Sequence, residues 1–407
     1  MAMLIPELKR AKLDRVMLIC VLLFCLFSLV AVYSATHSSE SPAIRENFNK
    51  QLIGIGVGLA AFYLVARIPP VIFYSSCYGL YALLVFMLLI MDAFGIIAGG
   101  SRRWFEIAGV KIQPSEFMKP VLVMTLAHFL SVETHSPNRL RYLLMVFGLA
   151  LVPFALVIQQ PDLGTSLVYL AVLIPMLYWR GIDPFIIFVL VAPVVTFFAS
   201  FNLISFFIVI LLITAVLYLS HRRKSVFIGV FLVNIAVGLL SPVMWNRLHA
   251  YQQQRVLTFL GLVSDPQGTG YQIIQSKVAI GSGGLLGKGV LHGTQTQLRF
   301  LPAQHTDFIF SVLAEEWGLL GSLAVLLVFF IFLQRTIKIA SSANHRFASL
   351  LCIGLMSMLA FQIIVNIGMT MGVAPVAGVP LPYISYGGSA MLTNMVVAGM
   401  ICNVANQ

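Results

Sequence analysis

Along this chain, apolar runs of roughly 16 to 24 residues alternate with short polar segments. At about 20 residues per crossing, the pattern predicts twelve spanning helices, at 16–35, 52–67, 72–91, 116–131, 142–158, 164–179, 184–199, 203–220, 226–243, 310–333, 348–371 and 387–404. The pair at 184–220 is the weakest, but its two members cross or fail to cross together, so the side assigned to later loops does not change. No tandem repeat of 20 to 50 residues is visible, and no inverted repeat of the kind many carriers have. The expectation is an all-α polytopic membrane protein, one domain over 1–407, with a long loop at 244–309.

Composition supports this reading. The 407 residues are 59% hydrophobic and 10% charged, so about 240 apolar positions stand against 39 charged ones, and a soluble fold could not hide that much apolar surface. The net charge of +11 is spread through short loops, which argues for membrane orientation and against nucleic acid. With a cytoplasmic N-terminus, Arg139 and Arg141, Arg222 to Lys224, and Arg335, Lys338 and Arg346 all lie inside, as the positive-inside rule requires. The first run follows Lys9, Arg10, Lys12 and Arg15 and is too long for the core of a cleaved signal, so it is expected to be a retained helix. Five cysteines lie in apolar runs without metal-ligand or disulfide spacing.

This topology puts the segments 92–115, 159–163, 244–309 and 372–386 on the outer side, and they carry the unusual residues. In Ser101-Arg102-Arg103-Trp104-Phe105, two arginines occupy the face where positive charge is scarce; their forks match phosphate oxygens, whether of a substrate or of lipid headgroups. Lys119, in Gln113-Pro114-Ser115-Glu116-Phe117-Met118-Lys119, either adds a second cation or pairs with Glu116 one turn away. Asp162, in Gln159-Gln160-Pro161-Asp162-Leu163-Gly164-Thr165, either caps the next helix or orients a cation or a substrate hydroxyl. The segment Asp265-Pro266-Gln267-Gly268-Thr269-Gly270-Tyr271 reads as a turn. The glycine run from Gly281 to Gly289 lacks the Walker spacing and is read as backbone that approaches a ligand closely or as plain turn. Asp307, in His305-Thr306-Asp307-Phe308, sits at the membrane boundary beside aromatic residues; desolvation there raises a carboxyl pKa toward the range of a general base, although helix capping also accounts for it. Glu315 and Glu316, within an apolar run, need partners, with Arg102, Arg103 or Lys119 as candidates. The prolines and glycines between Pro375 and Ser389 describe non-helical backbone at the membrane edge, which is tolerated where it lines a cavity.

Together these segments resemble the SEDS proteins (shape, elongation, division and sporulation), in the family's order and over nearly the whole chain outside 184–220. The stretch from Gly293-Thr294-Gln295 to Phe300-Leu301-Pro302 and the short tails resemble the elongation branch more than the division branch. The resemblance implies a peptidoglycan glycosyltransferase of the bacterial cytoplasmic (inner) membrane that uses lipid II and releases undecaprenyl pyrophosphate. Its implied partners are a class B penicillin-binding protein, the elongation machinery and membrane lipids. By position, Asp307 matches the essential loop carboxylate, and Arg102, Arg103, Trp104, Lys119, Glu116, Asp162, Gln295 and Ser385 fall on substrate-site motifs. No metal-ligand constellation argues for a tightly bound ion; Mg²⁺ or Mn²⁺ accompanying the pyrophosphate stays open. Ala303 and Gln304 stand where the family usually has Glu and Arg, and the usual plan has ten helices rather than twelve. A lipid II transporter and a scaffold are the competing readings.

Overall fold

The computed structural model describes residues 13–98, 101–107, 110–132, 140–247, 250–259 and 269–406. Asp14 caps α1 (Arg15–His37), its carboxylate accepting the Met17 amide at 3.0 Å. α2 (Pro42–Val65) and α3 (Pro70–Leu89) both open on a proline, which fits the first helical turn because its missing N–H would have no helical acceptor there. After the short α4 (Met91–Phe94), β1 (Ile96–Ala98), β2 (Ser101–Ile107) and β3 (Val110–Ile112) form an antiparallel meander in that order. Then come α5 (Pro114–Ser131), α6 (Leu140–Gln159), α7 (Leu163–Ala171), α8 (Leu173–Arg180), α9 (Pro184–Ala199), α10 (Leu203–Leu219) and α11 (Lys224–Asn246). The long loop carries α12 (Ala250–Phe259), α13 (Thr269–Ser282) and α14 (Thr294–Gln297), and α15 (Ile309–Ser342), α16 (Arg346–Thr370) and α17 (Gly388–Ala405) complete the chain.

All twelve predicted runs are helical, with 164–179 interrupted at Val172 between α7 and α8. Not all twelve meet the measure of a crossing. Among the described residues, nine segments are long and apolar enough: α1, α2, α3, α6, α7 with α8, α11, α15, α16 and α17. α9 and α10 have only 16 and 17 residues, and α5 opens on the polar turn of Ser115 and Glu116. The protein is thus a polytopic helical membrane protein with one small sheet that the hydrophobic pattern did not show, because β1 and β3 span three residues each. Asp265-Pro266-Gln267-Gly268 and Arg139 lie outside the described residues; residues 269–271 open α13 rather than completing a turn.

Burial sorts the helices. α5, α16 and α17 form the centre, α5 burying most of its residues on all sides. α1 packs against α15 through Phe24, whose ring lies 4.5 Å from Phe329 and 5.1 Å from Tyr383, stacked on the latter. The hairpin α9–α10 joins α11 in a peripheral group with its own apolar cluster of Ala192, Ile213, Leu217 and Val230. Inside that group, Thr196 donates to Asn234 at 2.8 Å.

The glycine run is explained by packing. α15 is broken at Gly318 (φ 65°), and the segment 283–289 fills the break: Lys288 and Gly289 amides donate to the Glu315 and Glu316 carbonyls at 3.1 and 2.9 Å, and Leu319 and Leu320 amides donate to Gly284 and Leu285 at 2.9 and 3.1 Å. A Cβ on Gly287 would stand 2.1 Å from the Glu316 carbonyl oxygen, so only glycine fits. The close approach expected of this run is therefore to the protein's own helix.

Candidate active site

The four segments expected on one side of the membrane converge at one end of the bundle. In β2, alternation sends neighbouring side chains to opposite faces. Arg103 accordingly turns toward the α6–α7 connection while Arg102 is exposed. Arg103 donates through Nε to the Gln160 carbonyl at 2.8 Å and through Nη2 to that of Pro161, and its Nη1 lies 3.7 Å from Asp162 Oδ2. The adjacent arginines are thus not one cationic patch, and Trp104 shares the Arg102 face, paired across the sheet with Ile96. Asp162 caps α7 by accepting the Thr165 amide at 3.1 Å and also accepts from Gln113 at 3.3 Å. Asp162 thus caps α7 and at the same time lies beside Arg103.

Asp307 lies in the turn just ahead of α15, bound on several sides. Its carbonyl accepts from Asn366 Nδ2 at 2.8 Å, and the same amide group donates to the Val379 carbonyl at 2.7 Å. Next to it, the Thr306 carbonyl accepts from Ser385 Oγ at 2.6 Å, and that of His305 from the Tyr386 amide at 2.9 Å. Gly378 runs alongside, where a Cβ would make ordinary contact with Asp307 Oδ2 at 3.7 Å; its φ of 68° is what favours glycine at this position. Ala303 and Tyr383, on the two facing segments, hold positive φ without being glycine, a conformation kept only where the surroundings enforce it. Burial raises the Asp307 pKa to about 6; Arg255 draws it down, Asp162 pushes it up and Arg103 draws it down. Burial also lowers the His305 pKa.

Other candidates sit elsewhere or are otherwise engaged. Lys119, considered as a second cation beside the arginines, is buried and bonded to Glu116 at 2.7 Å, so the one-turn pair is what forms. Ser385 spends its hydroxyl on protein backbone, donating to Thr306 and accepting the Leu381 amide at 2.8 Å. Gln295 belongs to a second cluster. Its amide and those of its neighbours surround Glu315, which takes Lys288 Nζ at 2.9 Å, Gln295 N at 2.9 Å, and Thr296 N and Oγ1 at 3.0 and 2.8 Å. Lys288 is therefore the cation for Glu315, in place of the arginines or Lys119. Glu316 accepts from Ser34 of α1.

Two residues at the site escaped the sequence reading. Arg255, on α12, is the strongest cationic influence on Asp307; it shares the outer loop with Arg247, Lys277, Lys288 and Arg299, and nothing in the local pattern sets it apart from them. Asn366 is fully buried in an apolar helix, and a polar residue in a span is itself a functional signal.

The family model described as "Cell cycle protein" (FtsW/RodA/SpoVE) matches residues 14–207 and 180–407. The peptidoglycan glycosyltransferase MrdB of Escherichia coli K12 is 38% identical over 400 residues, covering 97% of this chain and 94% of that protein. The peptidoglycan glycosyltransferase RodA of Treponema pallidum is 31% identical, covering 96% and 97%. Among solved structures, a chain from work on the structural coordination of polymerization and crosslinking by a peptidoglycan synthase complex superposes with a TM-score of 0.72 at 28% identity, covering 97% and 98%. The Thermus thermophilus rod shape determining protein RodA superposes at 0.62 and 22% identity, covering 97% of each chain, and shows the same fold. On a family model that spans residues 14–407 and relatives above 30% identity along nearly its whole length, this chain belongs to the FtsW/RodA/SpoVE family of cell cycle proteins.

Proposed function

We propose that this peptidoglycan glycosyltransferase of the elongation type polymerises lipid II on the outer face of the bacterial cytoplasmic membrane, with its N-terminus inside and Asp307 as the general base. The observation that carries the reading is a desolvated carboxylate with a pKa of about 6, placed where the sheet, the α6–α7 turn, the 303–308 turn and the 378–387 segment meet. A base working near neutral pH needs a pKa close to that value.

In the step, the acceptor sugar hydroxyl gives its proton to Asp307 while its oxygen forms the new bond to the donor's anomeric carbon. The bond from that carbon to the pyrophosphate breaks, and the pyrophosphate leaves with the electron pair. Attack from the opposite face inverts the centre. Arg103 and Arg255, whose charges already act at Asp307, meet the developing negative charge, with Arg102 and Trp104 at the rim of the donor site. Asp162 holds Arg103 in place, and the Glu116–Lys119 pair is a neutralised support in α5. Gln295 and Ser385 shape the loops on either side. A class B penicillin-binding protein is the partner that would cross-link the product, in line with the synthase complex to which the fold is similar.

The test is polymer formation from purified lipid II by the detergent-solubilised chain, with and without a class B penicillin-binding protein. Polymer on gels is the expected result. Translocation of labelled lipid II in vesicles without polymer would replace this reading with transport. The proposal includes a divalent ion that travels with the pyrophosphate instead of residing in the protein, so EDTA should lower output and Mg²⁺ or Mn²⁺ should restore it without refolding.

The pH dependence follows from the sign of the shift. A carboxyl titrating near 6 in the free protein is protonated below that pH and cannot accept the hydroxyl proton, so kcat/KM should rise as pH increases through about 6 and level off above it. A profile flat from pH 5 to 8 would remove Asp307 from this role.

A further inference from the structure

α2 buries one stripe, Gln51, Ile55, Gly58 and Phe62, at the three- and four-residue spacing of a helix face. Three members are apolar or small, as a packed face requires. The first is a glutamine with only 1% of its surface exposed, and a buried amide costs free energy unless its bonds are made. Gln51 makes them, all to other parts of the chain. Its Nε2 donates to Ser28 Oγ at 2.8 Å and to the Ser385 carbonyl at 3.3 Å, and its Oε1 accepts the Gly387 amide at 3.4 Å. Ser28, on α1, donates in turn to the Ile384 carbonyl at 2.9 Å. Side chains from two helices thereby hold the backbone of residues 384, 385 and 387. That segment is the one that grips the turn of Asp307, through Ser385 to Thr306 and Tyr386 to His305. These bonds do nothing for α2 as a helix.

We propose that Gln51 is a positioning residue for Asp307: it fixes the 384–387 segment from the side away from substrate, and that segment sets where the Asp307 carboxylate stands. The inference rests on Asp307 being the base. Small misplacements of a catalytic group are costly, so the effect belongs in kcat rather than in substrate binding.

Gln51→Met keeps the volume of the side chain and removes its polar atoms. In lipid II polymerisation it is expected to lower kcat by roughly ten- to a hundredfold with KM within about twofold, since no bond to substrate is lost. Combined with Asp307→Asn it should add no further loss, because both act on one group. Hydrogen–deuterium exchange gives a readout that needs no activity: amides of residues 304–307 and 384–387 should exchange faster in the variant. Ser28→Ala, which removes Gln51's partner and the bond to Ile384, is the second variant should Gln51→Met not fold, and the same changes are expected. Unchanged exchange in these segments, or an unchanged kcat, overturns the proposal. Wild-type protein that makes no polymer would end the functional reading, while the exchange experiment would still decide whether Gln51 holds the turn.

Discussion

Asp307→Asn should reduce polymer output by on the order of 10²- to 10⁴-fold, the range that a positioned general base contributes. Asparagine keeps the shape and the backbone bonds from Asn366 and Ser385 but cannot take up the hydroxyl proton. The substitution should not harm the fold. In the native protein, burial works against the charged carboxylate and raises its pKa to about 6, so a neutral amide removes an unfavourable desolvation. Size-exclusion profiles and thermal melts at or above those of the wild type are therefore expected beside the lost activity. Output within tenfold of wild type, at equal protein and with the partner present, would reject Asp307 as the base. Asp307→Glu, which keeps a carboxylate but displaces it, should fall between the two.

The second large effect is on stability. Glu315 is completely buried and receives the Lys288 ammonium, the Thr294 and Thr296 hydroxyls and two backbone amides. Glu315→Ala strands a partly buried cation and leaves the amides of Gln295 and Thr296 without their acceptor. Removing one partner of a buried pair costs about 3–5 kcal/mol, enough to unfold many domains whose whole stability is about 5–15 kcal/mol. The expected result is a lower midpoint in denaturant melts in detergent, or loss of the monodisperse peak. Lys288→Met combined with Glu315→Leu removes both charges and should recover only part of the loss, because the two amides still lack an acceptor. A single variant that melts like the wild type would show that the loop between α13 and α15 is held by other contacts.

Helix positions were legible because the bilayer leaves backbone polar groups no partner but the helix itself. Every apolar run became helical, but crossing length did not follow everywhere: α9 and α10 are short and lean on α11. The sheet was invisible because three-residue strands carry too little alternation to read. Within the site, Asp307 could be picked out from its charge at an apolar boundary. Arg255 and Gln51 were not, since nothing local to either residue says what it faces.

What the sequence by itself determined, then, was the solvent and the ingredients: a bilayer, helices at these places, and polar groups concentrated in four segments on one side. These follow from local free energies, the transfer cost of each run and each charge. Tertiary structure alone decided the pairings. It sent Arg103 to the Asp162 turn and left Arg102 on the opposite face, assigned Lys288 to Glu315, and used the glycine run to fill a broken helix. A hydrogen bond needs its partners within about 3.5 Å, and a buried charge recovers its desolvation cost only against a partner at close range. Which of several competent partners a charge meets therefore depends on where distant parts of the chain are brought together, and spacing along the sequence does not record that.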